Sequence, residues 1–236
     1  MMKYSSRHLI AAACGALMCA SAHAGRPFFA EDAGVLEKSS CELESVVAHA
    51  SADGMLSATQ LTTQVGCGVG QLLGIATQLA AGLGRLRSDG STDKAYWVAG
   101  KSAWSTADNS ALMLALAYGA NWLRPAGGPS GLETVFVNLV ATKPMTEKVT
   151  GHVNLGWLGN RPAKTSVTTW NAVLEYAVTD AVDVGAEVFG AEHASAFTGI
   201  GTRWTVSKAL SLNAGYAVQS GGYRNRLSSL GIKLAF

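Results

Sequence analysis

The chain has 236 residues, 48% of them hydrophobic and 14% charged, with 27 glycines, 5 prolines and a formal charge of +2. So apolar and weakly charged a composition excludes a disordered chain. The near-even balance excludes a protein built chiefly to grip nucleic acid, which calls for a basic excess. What remains is a folded chain with an apolar surface, or a membrane protein.

Residues 1–24 read as a secretory signal. Lys3 and Arg7 supply the positive start, Leu9 to Ala20 an apolar stretch, and Ala22-His23-Ala24 the small residues read at a cleavage site before Gly25. Cys14 and Cys19 fall inside this leader, and Met18 stands where a lipobox needs a small residue. Cleavage removes two cations and no acids, so a formally neutral mature chain is expected. Residues 25–40, with Phe28 and Phe29, form a segment expected to hang in the periplasm or to enter a barrel as a plug. No later apolar run reaches the ~20 residues that a spanning helix needs. The runs Leu72 to Gly84 and Ala111 to Leu123 are broken by Gln, Gly or Asn. The other spanning solution is a closed β-barrel, in which every backbone group is paired.

From Cys41 onward the chain alternates with period two, the mark of strands with one apolar face. Twelve strands of about ten residues, the length of a tilted membrane strand, are expected. They lie near 41–51, 58–68, 70–80, 94–104, 110–122, 131–142, 147–158, 167–178, 181–190, 197–206, 209–219 and 227–236. The clearest is the last, where Leu230, Ile232, Leu234 and Phe236 alternate with Ser229, Gly231, Lys233 and Ala235. The fold class is therefore all-β: an antiparallel up-and-down transmembrane barrel, occupying 41–236 after a cleaved leader.

The joints at Gly68-Val69-Gly70, Thr179-Asp180-Ala181 and Ser207-Lys208-Ala209 read as tight periplasmic turns. Those around Leu83 to Thr92, Arg124 to Gly131, Arg161 to Ser166 and Ser220 to Arg226 read as longer external loops. On the outward parity, Trp122, Trp157 and Trp170 gather at one end and Trp104, Tyr176, Trp204 and Phe236 at the other. Two interfacial girdles would look like this. Trp97 has the wrong parity and is expected in a loop or plug. Phe236, last in an alternating strand, is expected to serve as the assembly signal read by the barrel-insertion machinery.

A first hairpin centred on Gly54 sets Cys41 opposite Cys67, Leu43 opposite Val65 and Val47 opposite Leu61. In an oxidising compartment the two cysteines are disulfide candidates; a pair of free thiols is the alternative. No metal site or cofactor is expected, because His49, His152 and His193 lie far apart without short-spaced partners.

The stretch RPFFAEDAG (Arg26 to Gly34), with CELES (Cys41 to Ser45), resembles the opening of a family of proteobacterial outer-membrane channels linked to the meta-cleavage pathway of phenol degradation. Glu31 stands where that opening usually has Asp. The resemblance implies an outer-membrane barrel with a transport role and names no substrate.

Inward parity collects Glu42, Glu44, Lys101, His152, Glu175, Asp183, Glu187, Arg203 and Lys233 as lumen-lining candidates, with amides such as Asn154 and Asn171. Glu175, Glu187, Arg203 and Lys233 are expected to form one ion-pair network. Inward glycines 119, 156, 185, 199, 201, 215 and 231 would widen the lumen or let the sheet coil. Three functions follow. The first is an outer-membrane channel for small solutes. The second is a closed structural or binding barrel, and the third a lipid enzyme using His49. Lipid and lipopolysaccharide, the latter through Arg224 and Arg226, are the expected neighbours; no catalytic residue set is expected.

Overall fold

A computed structural model of the chain describes residues 28–52, 57–104, 112–221 and 225–236. The leader expected at 1–24 lies outside the described residues, as does Arg224. The strands are β1 Cys41–Ser51, β2 Ala58–Leu72, β3 Ile75–Ser88, β4 Ser91–Ala103, β5 Met113–Arg124 and β6 Gly131–Pro144. They continue as β7 Val149–Asn160, β8 Thr165–Thr179, β9 Val182–Ala191, β10 Phe197–Thr205, β11 Leu210–Gln219 and β12 Arg226–Ala235. Each pairs antiparallel with its neighbours in sequence, and β12 returns to β1, closing the barrel. Among the described residues there is no helix.

Alternation decides which way each residue faces. Val47, Leu61, Val65, Leu139, Val153, Leu155, Leu174 and Leu230 stand exposed on the outside, whereas Glu44, Gln64, Lys101, Asn154 and Glu187 are buried within. Such an inversion suits a hydrocarbon surround, since a contiguous apolar belt is rare on water-facing surfaces. The exposed aromatics Trp157 and Trp170 lie at one rim, and Trp104, Tyr176, Trp204 and Phe236 at the rim where the chain closes.

Closure happens at Cys41. Its backbone exchanges two hydrogen bonds with Phe236, at 2.8 and 2.9 Å. On its other side it pairs with Cys67, to which its sulfur is bonded. The register below it sets Leu43 against Val65 and Val47 against Leu61. We call this the closing rim.

The structure corrects the reading of β2 to β4. Gly68-Val69-Gly70 is not a turn; β2 runs through it with a register shift between Gly68 and Gly70 and reverses at Leu73-Gly74. The span 83–92 is not a long loop, for β3 and β4 continue to a two-residue turn at Asp89-Gly90. Both residues have positive φ, 49° and 75°, as a tight hairpin turn requires. Arg85 and Arg87 looked like loop residues but are exposed outward positions near this rim. Long basic side chains tolerate such positions because their heads reach water. Joint length therefore alternates less regularly than expected.

Removing the Cys41–Cys67 bond should lower stability by about 2–4 kcal/mol, the usual range for such a cross-link. We expect Cys41→Ser, Cys67→Ser and the double variant to share one lowered urea midpoint in detergent micelles. A midpoint equal to that of the parent would refute the assignment.

Candidate functional site

The interior of the barrel is occupied. Residues 28–40 leave the closing rim beside β1 and cross the lumen toward the opposite end, bonding to seven strands on the way. Lys38 makes a single parallel bridge with Gly68 of β2. Beyond it, side chains of the wall hold the segment's backbone. Leu36 N–H donates to Gln78 Oε1 on β3 at 2.7 Å, and Ala33 N–H to Thr142 Oγ1 on β6 at 2.8 Å. Asn154 on β7 grips Glu31 at both ends, accepting from its N–H at 2.6 Å and donating to its carbonyl at 2.9 Å. Farthest in, Phe29 N–H donates to Glu187 Oε2 on β9 at 2.8 Å, and its carbonyl accepts from Asn171 on β8 at 3.1 Å. A buried peptide without a sheet edge must find such partners, and the amide side chains supply them.

The wall is shaped for the segment. A Cβ at Gly68 would overlap the backbone carbonyls of Leu36 and Glu37, so only glycine lets the chain pass so close. Gly185 similarly makes room for the Phe28 ring. Ala33 joins a cluster with Ala99, Ala115 and Ala117, small residues on β4 and β5 that let the backbone approach.

Charge is concentrated toward the closing rim. Arg203 meets Asp183 at 2.9 Å and Glu175 at 3.5 Å, His152 Nε2 lies 3.3 Å from Glu175, and Lys233 lies 3.4 Å from Glu42. Lys101 donates to the Asp32 carbonyl at 3.0 Å and sits 3.7 Å from its carboxylate. Gln64 donates to Glu44 at 3.0 Å. Toward the opposite rim the lumen turns apolar. Phe29 stacks on Phe189 at 4.2 Å and Phe189 on Phe197 at 5.0 Å, among Ala58, Leu86, Ala95, Ala217 and Leu227.

Two acids of the segment, which is not itself a spanning strand, respond to this setting. Glu31 is 2% exposed and its Oε2 has no hydrogen-bond partner among the described residues. Burial pushes its pKa up to about 7, against the pull of Lys101. Burial also pushes Asp32 upward, but Lys101 and the Gly34 amide outweigh it and hold that carboxyl below its ordinary value.

All nine lumen candidates carry their side chains inward, yet their grouping differs from the single network expected. Glu187 serves the segment, and Lys233 pairs across the β1–β12 seam with Glu42 instead of joining Arg203. His152 joins through Glu175. Nor do five of the seven inward glycines leave empty space, for the Phe28 ring fills the place at Gly185 and Ala217 and Glu187 fill that at Gly199. Phe136 covers Gly119, Thr169 covers Gly156 and the Asn213 amide covers Gly231. Trp97 belongs to neither loop nor plug; it is a buried lumen residue of β4 lying over Gly82, with Nε1 donating to Gln64 at 3.4 Å. Sequence reasoning passed over Thr142, Gln78, Glu31 and Asp32. The available signal was the run of inward amides facing a short segment with no strand pattern of its own.

A closed twelve-strand barrel, apolar outside and polar within, defines a protein of the outer-membrane β-barrel class. The chain belongs to the family described as Uncharacterised conserved protein UCP029691, whose model matches residues 12–236. Among curated proteins none matches significantly. Solved structures share the architecture. The COG4313 outer membrane channel from Pseudomonas putida F1 is 12% identical, with a TM-score of 0.61 over 87% of this chain and 98% of that one. The KdgM porin, solved in complex with disordered oligogalacturonate, is 10% identical, with a TM-score of 0.56 over 82% and 99%. The translocator domain of the autotransporter NalP from Neisseria meningitidis is 12% identical, with a TM-score of 0.52 over 98% of both. At such identities the likeness is one of fold.

The raised Glu31 pKa makes seating of the segment pH-dependent. The seated state favours the neutral acid. That preference is therefore full below the ordinary value of 4.5 and is lost as pH rises through about 7. Amide protection factors of residues 29–36, referenced to intrinsic exchange at each pH, should fall across that window. Glu31→Gln should flatten the profile; a profile unchanged by that substitution would refute the coupling.

Proposed function

We propose that the protein is an outer-membrane channel for small solutes whose lumen is plugged at rest by residues 28–40. One observation carries this reading: the segment is held almost wholly by side chains, with a single bridge to β2. Its withdrawal would leave every rung of the closed barrel intact. A thirteenth strand could not leave so cleanly. Barrels of about eight strands are filled by their own side chains and those of about 16 to 18 hold water, so twelve strands leave room for one extended peptide. On this reading residues 1–24 are the cleaved leader and the closing rim faces the periplasm. Phe236 then serves as the assembly signal, and Arg226 lies near lipopolysaccharide.

The meta-cleavage link implied by the N-terminal resemblance belongs to the same proposal, and the Phe189–Phe197 end of the lumen supports it by offering an apolar entry. The reading is one of transport rather than catalysis. His49, on the outer face, bonds the Thr59 hydroxyl at 3.0 Å, not the carboxylate or amide that orients a catalytic base.

A second reading is favoured by how completely the segment and its ion pairs brace the interior: a closed barrel that binds without transporting. Planar-bilayer conductance separates the two. The parent should open rarely, whereas the full-length Gln78→Ala/Thr142→Ala/Asn154→Ala variant should conduct for longer and at higher amplitude. Silence from both proteins, each folded by circular dichroism and heat-modifiable migration, would leave the closed barrel standing.

A further inference from the structure

The charges on the wall specify what the opened lumen would accept. Resting on the channel reading above, we propose that the lumen, once residues 28–40 withdraw, passes small cationic and neutral solutes and rejects anions. Among the described residues, the inward faces of the strands carry five acids between the rims, Glu42, Glu44, Glu175, Asp183 and Glu187, and a sixth, Asp93, at the mouth of β4 where it accepts from the Ala126 N–H. Against the five stand three bases, Lys101, Arg203 and Lys233. The wall between the rims is therefore negative by two charges with His152 neutral, although the barrel and segment together, residues 25–236, are formally neutral. The compensating cations sit elsewhere, at Arg85, Arg87 and Lys94 on the outer face and at Lys148, Arg161, Lys164 and Lys208 in the joints.

The placement of the bases deepens the bias. Arg203 is engaged by Asp183 and Glu175, and Lys233 by Glu42, all wall residues that stay when the segment goes. Departure uncovers one base, Lys101, and one acid, Glu187, which now hold Asp32 and Phe29. Neither change alters the sign of the wall. Fixed charges of one sign in a low-dielectric tube concentrate their counter-ions and exclude co-ions. The apolar end then narrows the class. A solute entering past Phe189 and Phe197 benefits from an apolar or aromatic body, and aromatic faces tolerate a cation and not an anion.

The test uses the full-length Gln78→Ala/Thr142→Ala/Asn154→Ala variant in planar bilayers near 0.1 M salt, where charges act over about 10 Å. Under a KCl gradient its reversal potential should lie on the potassium side of zero. Phenyltrimethylammonium should permeate more readily than benzenesulfonate, a body of similar size, by about tenfold, the low end of what a charged cleft does to local ion concentration. Adding Glu44→Gln and Glu187→Gln brings the wall between the rims to zero and should erase both preferences. A conducting variant with no preference, or with preference for chloride and benzenesulfonate, overturns the inference and leaves the channel reading intact. A preference that survives the two Gln substitutions also overturns it, because the wall charge would not be its source. Absence of conductance from a correctly folded variant overturns the channel reading and this inference together.

Discussion

The structure depends on one seam. A sheet in hydrocarbon has no water to satisfy its edges, so β12 must meet β1 or the barrel cannot exist in a membrane. At Cys41 that requirement is met twice over: the backbone closes onto Phe236 and the side chain is bonded across to Cys67. The same corner sets where residues 28–40 begin, since Ser40 leads directly into it. Ser39 N–H donates to Gly68 O, and Gly68 N–H to Ser40 O, at 3.0 and 2.9 Å. Seam, disulfide and entry of the segment are thus one local arrangement, and whatever disturbs it changes the aim of the segment as well as the closure.

Inside, the same demand for satisfied backbone recurs on a smaller scale. An extended peptide crossing a lumen cannot join the sheet, so its N–H and C=O groups must find side chains. Asn154, Asn171, Gln78 and Thr142 lie on four different strands, and they share inward parity and a neutral polar group within reach of the segment's backbone. Neutral amides and a hydroxyl suit this task because they satisfy peptide groups without adding the desolvation cost of another charge.

Much of this was legible in the sequence because alternation has a two-residue period and a barrel has two faces. Strand number, the inward set and the Cys41–Cys67 register all follow from parity, which a single turn position propagates along a whole hairpin. The overrun of β2 and the turn at Asp89-Gly90 escaped because a polar residue past the membrane boundary looks the same on a strand as in a loop. Trp97 escaped for a related reason: a large ring fits inside only because Gly82 lies opposite it on β3, a cross-strand relation invisible until register is known. Partner choice in the ion pairs escaped too. Parity says that Glu187 and Arg203 both face inward, but not that Phe29 will claim one and Asp183 the other.

How firmly the segment sits decides whether the barrel is a plugged channel or a filled one. Each neutral hydrogen bond to the wall contributes about 0.5–1.5 kcal/mol net, while ordering each backbone residue costs about 1–2 kcal/mol. With roughly one such bond for every two residues of 28–40, the bonds alone fall short of that cost. The bonds therefore fix where the segment lies more than they hold it there. Retention falls instead to the burial of Phe28, the packing of the half-buried Phe29 and the Lys101–Asp32 contact, and it is opposed by the buried Glu31 carboxyl whenever that group ionises. A seat with two apolar anchors, one ion pair and one titratable liability is poised near balance. The β1–β12 seam is ten residue pairs long with flanking backbone bonds, the Lys233–Glu42 pair lying across it, so the same chain combines a wall that stays closed with an occupant that can be displaced.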